Sequence, residues 1–237
     1  DGVLQLGNAH MWMDEWDECD ECFERAKEGF VRLLGEDSAK AVNAAFMVAH
    51  QIPTVDEEIA EYRRLWEMAK VSLPEEAVTY DIAMSLGSRL REKKGKYEEA
   101  KVFYLAALEG QRRVLGEEHK KTLASMNSIG VVLQHMEDYE GALDYYQQAF
   151  RVKEKVLGKT HPDTLRTIMN MATTYNVLED TKAEQMYRQA LDGYEKSLGK
   201  SNEETKKCAW NLNLLLEDMG RWDEKADLER LYPESGQ

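Results

Sequence analysis

The side chains that could do chemistry in this sequence are few and widely spaced. Cys19 and Cys22 form a C-x-x-C pair, and Cys208 stands near the other end of the chain. Two thiolates at that spacing supply half of a tetrahedral zinc shell, but no second pair of donors lies nearby. The cysteines therefore read as small buried hydrophobes, and an odd set of three suggests a reducing compartment. His119 and His161 recur 42 residues apart in GEEHKKTL and GKTHPDTL. Neither is accompanied by a Ser/His/Asp set or a phosphate loop, so capping and packing account for them better than base catalysis. No catalytic residue, cofactor or metal is expected. Asn127, Asn170, Asn176 and Asn211 offer a different chemistry, because an amide can donate to and accept from an extended chain at once. Asparagine is a poor helix former, so four of them inside helical patterns call for a compensating role. They either hold such a chain or bridge neighbouring helices.

The elements that must carry these residues are helical throughout. The 237 residues contain only 4 prolines and 15 glycines, and 43% are apolar, enough for a sizeable core. The net charge of −14 argues against nucleic acid or an anionic membrane as partner, since both require a basic patch. Residues 1–76 hold 18 acidic and 7 basic side chains, so the first third is an acidic surface. No apolar run approaches the length that spans a bilayer, and the expected location is cytoplasmic. Asp1 would fall inside a helix, which suggests that the natural chain extends upstream.

A long internal period decides how everything else is read. VLGEEHKKTL (114–123), VLGKTHPDTL (156–165) and SLGKSNEETK (197–206) recur at 42 and then 41 residues, and SLPEE (72–76) and LLGED (33–37) mark earlier corners. Between corners, Phe23, Tyr104, Tyr146 and Tyr187 are equivalent, each followed three residues later by alanine. Large then small residues on one stripe let a bulky side chain fill the groove that alanine leaves for a neighbouring helix. Corner glycines 35, 116, 158 and 199 suit a left-handed residue just past a helix. Capping boxes are expected at Thr160 with Asp163, Ser201 with Glu204 and Thr54 with Glu57, and Pro74 and Pro162 fall in first turns. The spacing predicts A helices near 1–13, 38–51, 76–93, 119–136, 161–178 and 203–219. B helices are predicted near 16–34, 55–73, 97–115, 139–157, 181–198 and 222–231. Trp16 and Trp222 occupy a core register. Residues 38–73 fit worst, with Pro53 at the helix turn and Leu65 in place of alanine, and the last B helix is expected to stop at Pro233.

Leu6-Gly7 in a first helix, Trp16 opening the second, then Phe23 and Ala26, resemble the tetratricopeptide pattern. LGKTHPDTL at 157–165, in a 42-residue period, is similar to the kinesin light chain class of these repeats; LGEEHKKTL at 115–123 lacks its proline, and LGKSNEETK at 198–206 lacks both His and Pro. The resemblance implies an all-α, right-handed superhelical solenoid of about six antiparallel helix-turn-helix repeats. It would be a single array over 1–237, with repeats at 1–35 (partial), 36–74, 75–116, 117–158, 159–199 and 200–237.

In that family the A helices line a concave groove that holds an extended peptide or a partner helix. Carried onto this sequence, the candidate groove residues are Asn127, Val131, Gln134, Arg166, Met169, Asn170, Thr173, Asn176, Lys207, Trp210, Asn211 and Leu214. Trp210 is either an interface anchor or packed beneath the terminal hairpin. The clustered basic residues with which related repeats clamp a C-terminal carboxylate are missing here. The expected function is a non-enzymatic interaction module or adaptor that binds another protein or peptide. Alternatives are a structural subunit embedded in a larger assembly through its convex or edge surfaces, and the regulatory repeats of a larger enzyme.

Overall fold

The computed structural model describes residues 16–232, with side-chain environments from Cys22 onward. Among them are eleven helices and no strand: α1 (Trp16–Leu34), α2 (Ala39–Ala49), α3 (Val55–Ser72), α4 (Ala77–Glu92), α5 (Tyr97–Leu115), α6 (Lys120–His135), α7 (Tyr139–Leu157), α8 (Pro162–Val177), α9 (Lys182–Leu198), α10 (Glu203–Asp218) and α11 (Trp222–Leu231). The all-α expectation holds, and the helix boundaries follow the predicted hairpins closely. The helix expected near 1–13, its Leu6-Gly7 pair, the side chains of Trp16 and Cys19, and Pro233 lie outside the described residues. No described helix is long and apolar enough to cross a membrane.

The corners explain why the period is so regular. Gly116, Gly158 and Gly199 end α5, α7 and α9 at φ +92, +91 and +83, with ψ near +165. The sign of φ is the expected one, but the extended ψ places these residues in a region that essentially only glycine enters. Three residues further on, the backbone turns to β geometry and the side chain there caps the next helix. His161 accepts from the Asp163 N–H at 3.1 Å, His119 from Lys121 at 3.2 Å and Asn202 from Glu204 at 2.9 Å. The caps therefore sit one residue later than expected: His161 replaces Thr160 and Asn202 replaces Ser201, because only the third position after the glycine has capping geometry. Thr54 caps as anticipated, accepting from Glu57 N–H at 3.3 Å and donating to its carboxylate at 2.7 Å. The corner threonines close the loop: Thr122 and Thr205 each donate at 2.8 Å to the glycine carbonyl six residues back.

The corner before α4 is built differently. Leu73 takes φ −133 where the other corners have glycine, and Pro74 lies in the connection rather than in the first turn of the helix, which starts at Ala77. Pro162, by contrast, does open α8.

The helices form two compact units, one through Ser125 and one from Met126, with the boundary inside α6. In the first, Phe23, Tyr62 and Tyr104 are fully buried, and a Cβ on Gly87 would approach the Tyr104 ring to 2.8 Å. Leu65, the residue out of pattern, is itself fully buried beside Tyr62 in sequence register. Glu58 is buried too, accepting from Tyr62 Oη at 2.6 Å and paired with Arg89 Nε of α4 at 2.7 Å. In the second unit Tyr146 and Tyr187 fill the same role, and a Cβ on Gly130 would meet the Tyr146 ring at 2.4 Å. Burying each such ring contributes roughly 1.5–3 kcal/mol.

The terminal helix departs from the pattern. Trp222 is not in the core as expected but 59% exposed, beneath the Lys225 ammonium at 5.7 Å. α11 buries none of its residues, since Glu229 stands where the buried tyrosines stand in α5, α7 and α9.

Candidate partner-binding strip

The candidate residues of the second unit lie on α6 from Met126 onward, α8 and α10. On α10, Lys207, Trp210, Leu214 and Asp218 follow one another at three- or four-residue spacing and so share a face. Trp210 is 51% exposed and Leu214 40% exposed, so the tryptophan does not pack beneath the terminal hairpin. On α8, Arg166, Met169, Thr173 and Val177 stand at the equivalent positions, with Asn170 beside them, and α8 packs beside α10.

The polar residues divide into two groups. Asn170 Nδ2 donates to Asn127 Oδ1 at 3.1 Å, bridging α8 and α6. Gln134 donates to Thr174 at 2.7 Å and accepts from Tyr146 Oη at 2.6 Å. Thr173 bonds the Met169 carbonyl at 3.1 Å and shares a 2.9 Å contact with Tyr187 Oη. These side chains serve the framework. Asn176 and Asn211, in contrast, are partly exposed and make no side-chain hydrogen bond within the described residues. Val131 is partly exposed on α6. Met169 is a correction: it is buried, although Trp210 at the same repeat position on α10 is exposed, because α10 packs beside α8 whereas no described A helix follows α10.

Electrostatics change along the strip. Arg166 and Lys207 are exposed near the N-terminal ends of α8 and α10, with Arg166 paired to Asp163 at 2.6 Å. At the opposite end a cleft of about 690 Å³ is lined by Asn176, Val177, Leu215 and Met219 together with the carboxylates of Glu179, Asp180, Glu184 and Asp218. Reasoning from sequence missed these acids, although the Glu-Asp pairs at 179–180 and 217–218 close both A helices. Asp180 is held below the usual carboxylate range by the Lys182 backbone N–H at 2.9 Å and its ammonium at 3.3 Å. Burial would raise the Glu184 carboxyl, but bonds from Arg188 at 2.8 Å and Arg221 at 2.7 Å hold it low. Glu179 and Asp218 are exposed and carry no such cation.

Beneath the first turns of α8, Lys153 is only 3% exposed and donates to Thr167 at 2.9 Å and the Asp163 carbonyl at 3.3 Å. Burial, with the nearby Arg166 charge, pushes it down to about 8 against the opposing pull of Asp163. Cys208 is fully buried, its thiol pushed up to about 12 by burial and by Glu204, so it is a poor nucleophile or metal ligand. Among the described residues no three His, Cys, Asp or Glu side chains converge as a metal site would need.

The family model for the tetratricopeptide repeat matches residues 82–155 and 123–196. Residues 82–196 are tetratricopeptide repeats. Solved structures extend the likeness in fold well beyond that segment. BtubC (BKLC) from P. vanneervenii superposes with a TM-score of 0.74 at 17% identity, covering 90% of this chain and 87% of that one. The nearly identical TPR-like repeats of a candidate kinesin light chain of Podospora anserina give 0.68 at 17% identity, over 83% of this chain and 95% of theirs. The apo form of the quorum sensor NprR from B. thuringiensis gives 0.75 at 20% identity, over 97% of this chain and 63% of that one. No curated protein is recognisably similar in sequence. Kinesin light chain-like tetratricopeptide proteins are thus among the structural neighbours, and repeats of this kind are protein-interaction modules.

Proposed function

We propose that this chain is a non-catalytic binding module that holds an extended peptide or a helix of another protein along the exposed faces of α8 and α10. The observation that carries the reading is the exposure of Trp210 and Leu214 on one face, beside the unpaired amides of Asn176 and Asn211. An exposed indole next to an aliphatic side chain is a strong anchor, and amides in reach of it supply main-chain hydrogen bonds to an extended ligand. Asn127, Asn170, Gln134 and Thr173 stiffen the strip from within, and Arg166 and Lys207 border it. A protein partner fits the net charge of −14, which disfavours nucleic acid. The two free, buried thiols Cys22 and Cys208 suit a cytoplasmic setting, and a single repeat array over the whole chain suits the recurring corners.

A second reading, a subunit fixed in a larger assembly through its edge, is favoured by one observation: Trp222, which opens the terminal helix α11, is 59% exposed. Affinity capture from native extract with quantitative mass spectrometry separates the two. Loss of the captured partner with Trp210→Ala plus Asn211→Lys, and retention with Trp222→Ala, is the expected result. The reverse pattern assigns binding to the edge.

A further inference from the structure

The cleft at the end of the strip adds a charge requirement that the binding reading alone does not contain. Its apolar lining, from Leu215 and the half-exposed Val177 and Met219, adjoins the face that carries Trp210 and Leu214 at Asp218, one turn beyond Leu214 on α10. Its rim is negative from two sources. Glu179 and Asp218 contribute exposed carboxyl groups with no cation beside them. The C-terminal turns of α8 and α10 both end here and add the negative ends of their dipoles, offset in part by the positive end of α9, whose start lines the cleft through Thr181, Ala183 and Glu184.

The backbone at Glu179 has φ +54; of the turn positions that correspond to it, Gly95 and Gly220 are glycines at φ +84 and +69, while Glu137 is a second glutamate at φ +63, so the conformation belongs to the repeat turn and places the Glu179 side chain at the cleft without being particular to it. The other end of the strip carries the opposite sign through exposed Lys207, Arg166 being paired to Asp163. Charge therefore runs from positive to negative over an apolar centre, and an occupant that matches it is cationic where the strip is acidic.

Resting on the binding reading above, we infer that the ligand is a basic-apolar segment of a partner protein, whose Lys or Arg side chains enter the cleft between Asn176 and Asp218 while an adjacent apolar residue seats on Trp210 and Leu214. A guanidinium or ammonium there meets Glu179 and Asp218 in a half-enclosed site, where a pair is screened less than on open surface. An acidic segment would be repelled by the same groups.

The test uses the full chain and a displayed library of short random peptides. Selected peptides are expected to pair Lys or Arg with an aromatic or aliphatic residue, and to bind more weakly as salt is raised. Glu179→Lys plus Asp218→Lys should weaken them by roughly tenfold or more, as two partly screened pairs would. Trp210→Ala should weaken the same peptides. Enrichment of acidic or uncharged peptides, or no effect of the charge reversal while Trp210→Ala still weakens binding, overturns this inference and leaves the binding strip intact. Peptides indifferent to both variants, or no enrichment at all, overturn both. Circular dichroism of each variant separates lost binding from lost folding.

Discussion

At Lys153 burial and charge are in direct conflict. The equivalent side chain one repeat earlier is Gln111, which accepts from Ser125 at 2.5 Å, so a neutral amide fills the same place without an ionic cost. The folded state holds Lys153 at about 8, below its ordinary 10.5, which means folding disfavours the protonated form. That penalty is fully present below pH 8, fades between pH 8 and 10.5, and is worth about 3 kcal/mol. Lys153→Gln should therefore raise stability at pH 7 by about 1–2 kcal/mol. It should also remove part of the wild type's gain in stability between pH 8 and 10.5; urea titrations of both proteins at the two pH values check this. Nothing in the sequence marked Lys153, because lysine is ordinarily a surface residue and the repeat register alone does not reveal depth. Met169 was misplaced for a related reason. It shares a repeat position with exposed Trp210, and which of the two is covered is settled by the helix that follows, not by spacing. Asn176, Asn211 and Trp210 were legible as candidates because their types are unusual where they stand.

Helix ends and turns, the next scale up, were mostly written in local sequence. Corner glycines, Pro162 and the apolar stripes set the boundaries of α5 to α10 almost to the residue. The capping residue was off by one because the corner's extended ψ delays the capping position to the third residue after glycine, a detail that a Ser/Thr-x-x-Glu/Asp pattern does not encode. Glu137 occupies the same turn as Gly95 and Gly220, at φ +63. Glu137→Gly should raise stability by up to about 1 kcal/mol, less the entropy that glycine adds to the unfolded chain, as thermal unfolding would report. Between α3 and α4 the pairing of buried Glu58 with Arg89 was hidden, since residue type alone does not tell an arginine that meets a buried carboxylate from a solvated one. Arg89→Ala leaves that carboxylate buried without its cation, and a loss of about 3 kcal/mol is expected in denaturant titration. Arg89→Lys should recover part of it.

Across the whole molecule, the recurrence of corners and aromatic-alanine pairs was enough to read an all-α repeat architecture, and residues 82–196 carry the family's own signature. Function is less legible at this scale because the same framework residues serve any ligand. What differs from one such protein to another is the exposed remainder, here Trp210, Leu214, two unpaired amides and an acidic cleft. The sequence pointed to Trp210 and the amides through residue type, and to Leu214 through the repeat register. It did not disclose the cleft, whose carboxylates come from a helix end, a turn and a following helix that only folding brings together. Amide hydrogen exchange of the protein bound to its captured partner tests the central claim most directly. Slowed exchange in the turns of 162–181 and 203–220, with the helix 139–157 and residues 187–198 of α9 unchanged, is the expected result. Protection confined to 182–198 or to 222–231, with none in α8 or α10, would contradict it.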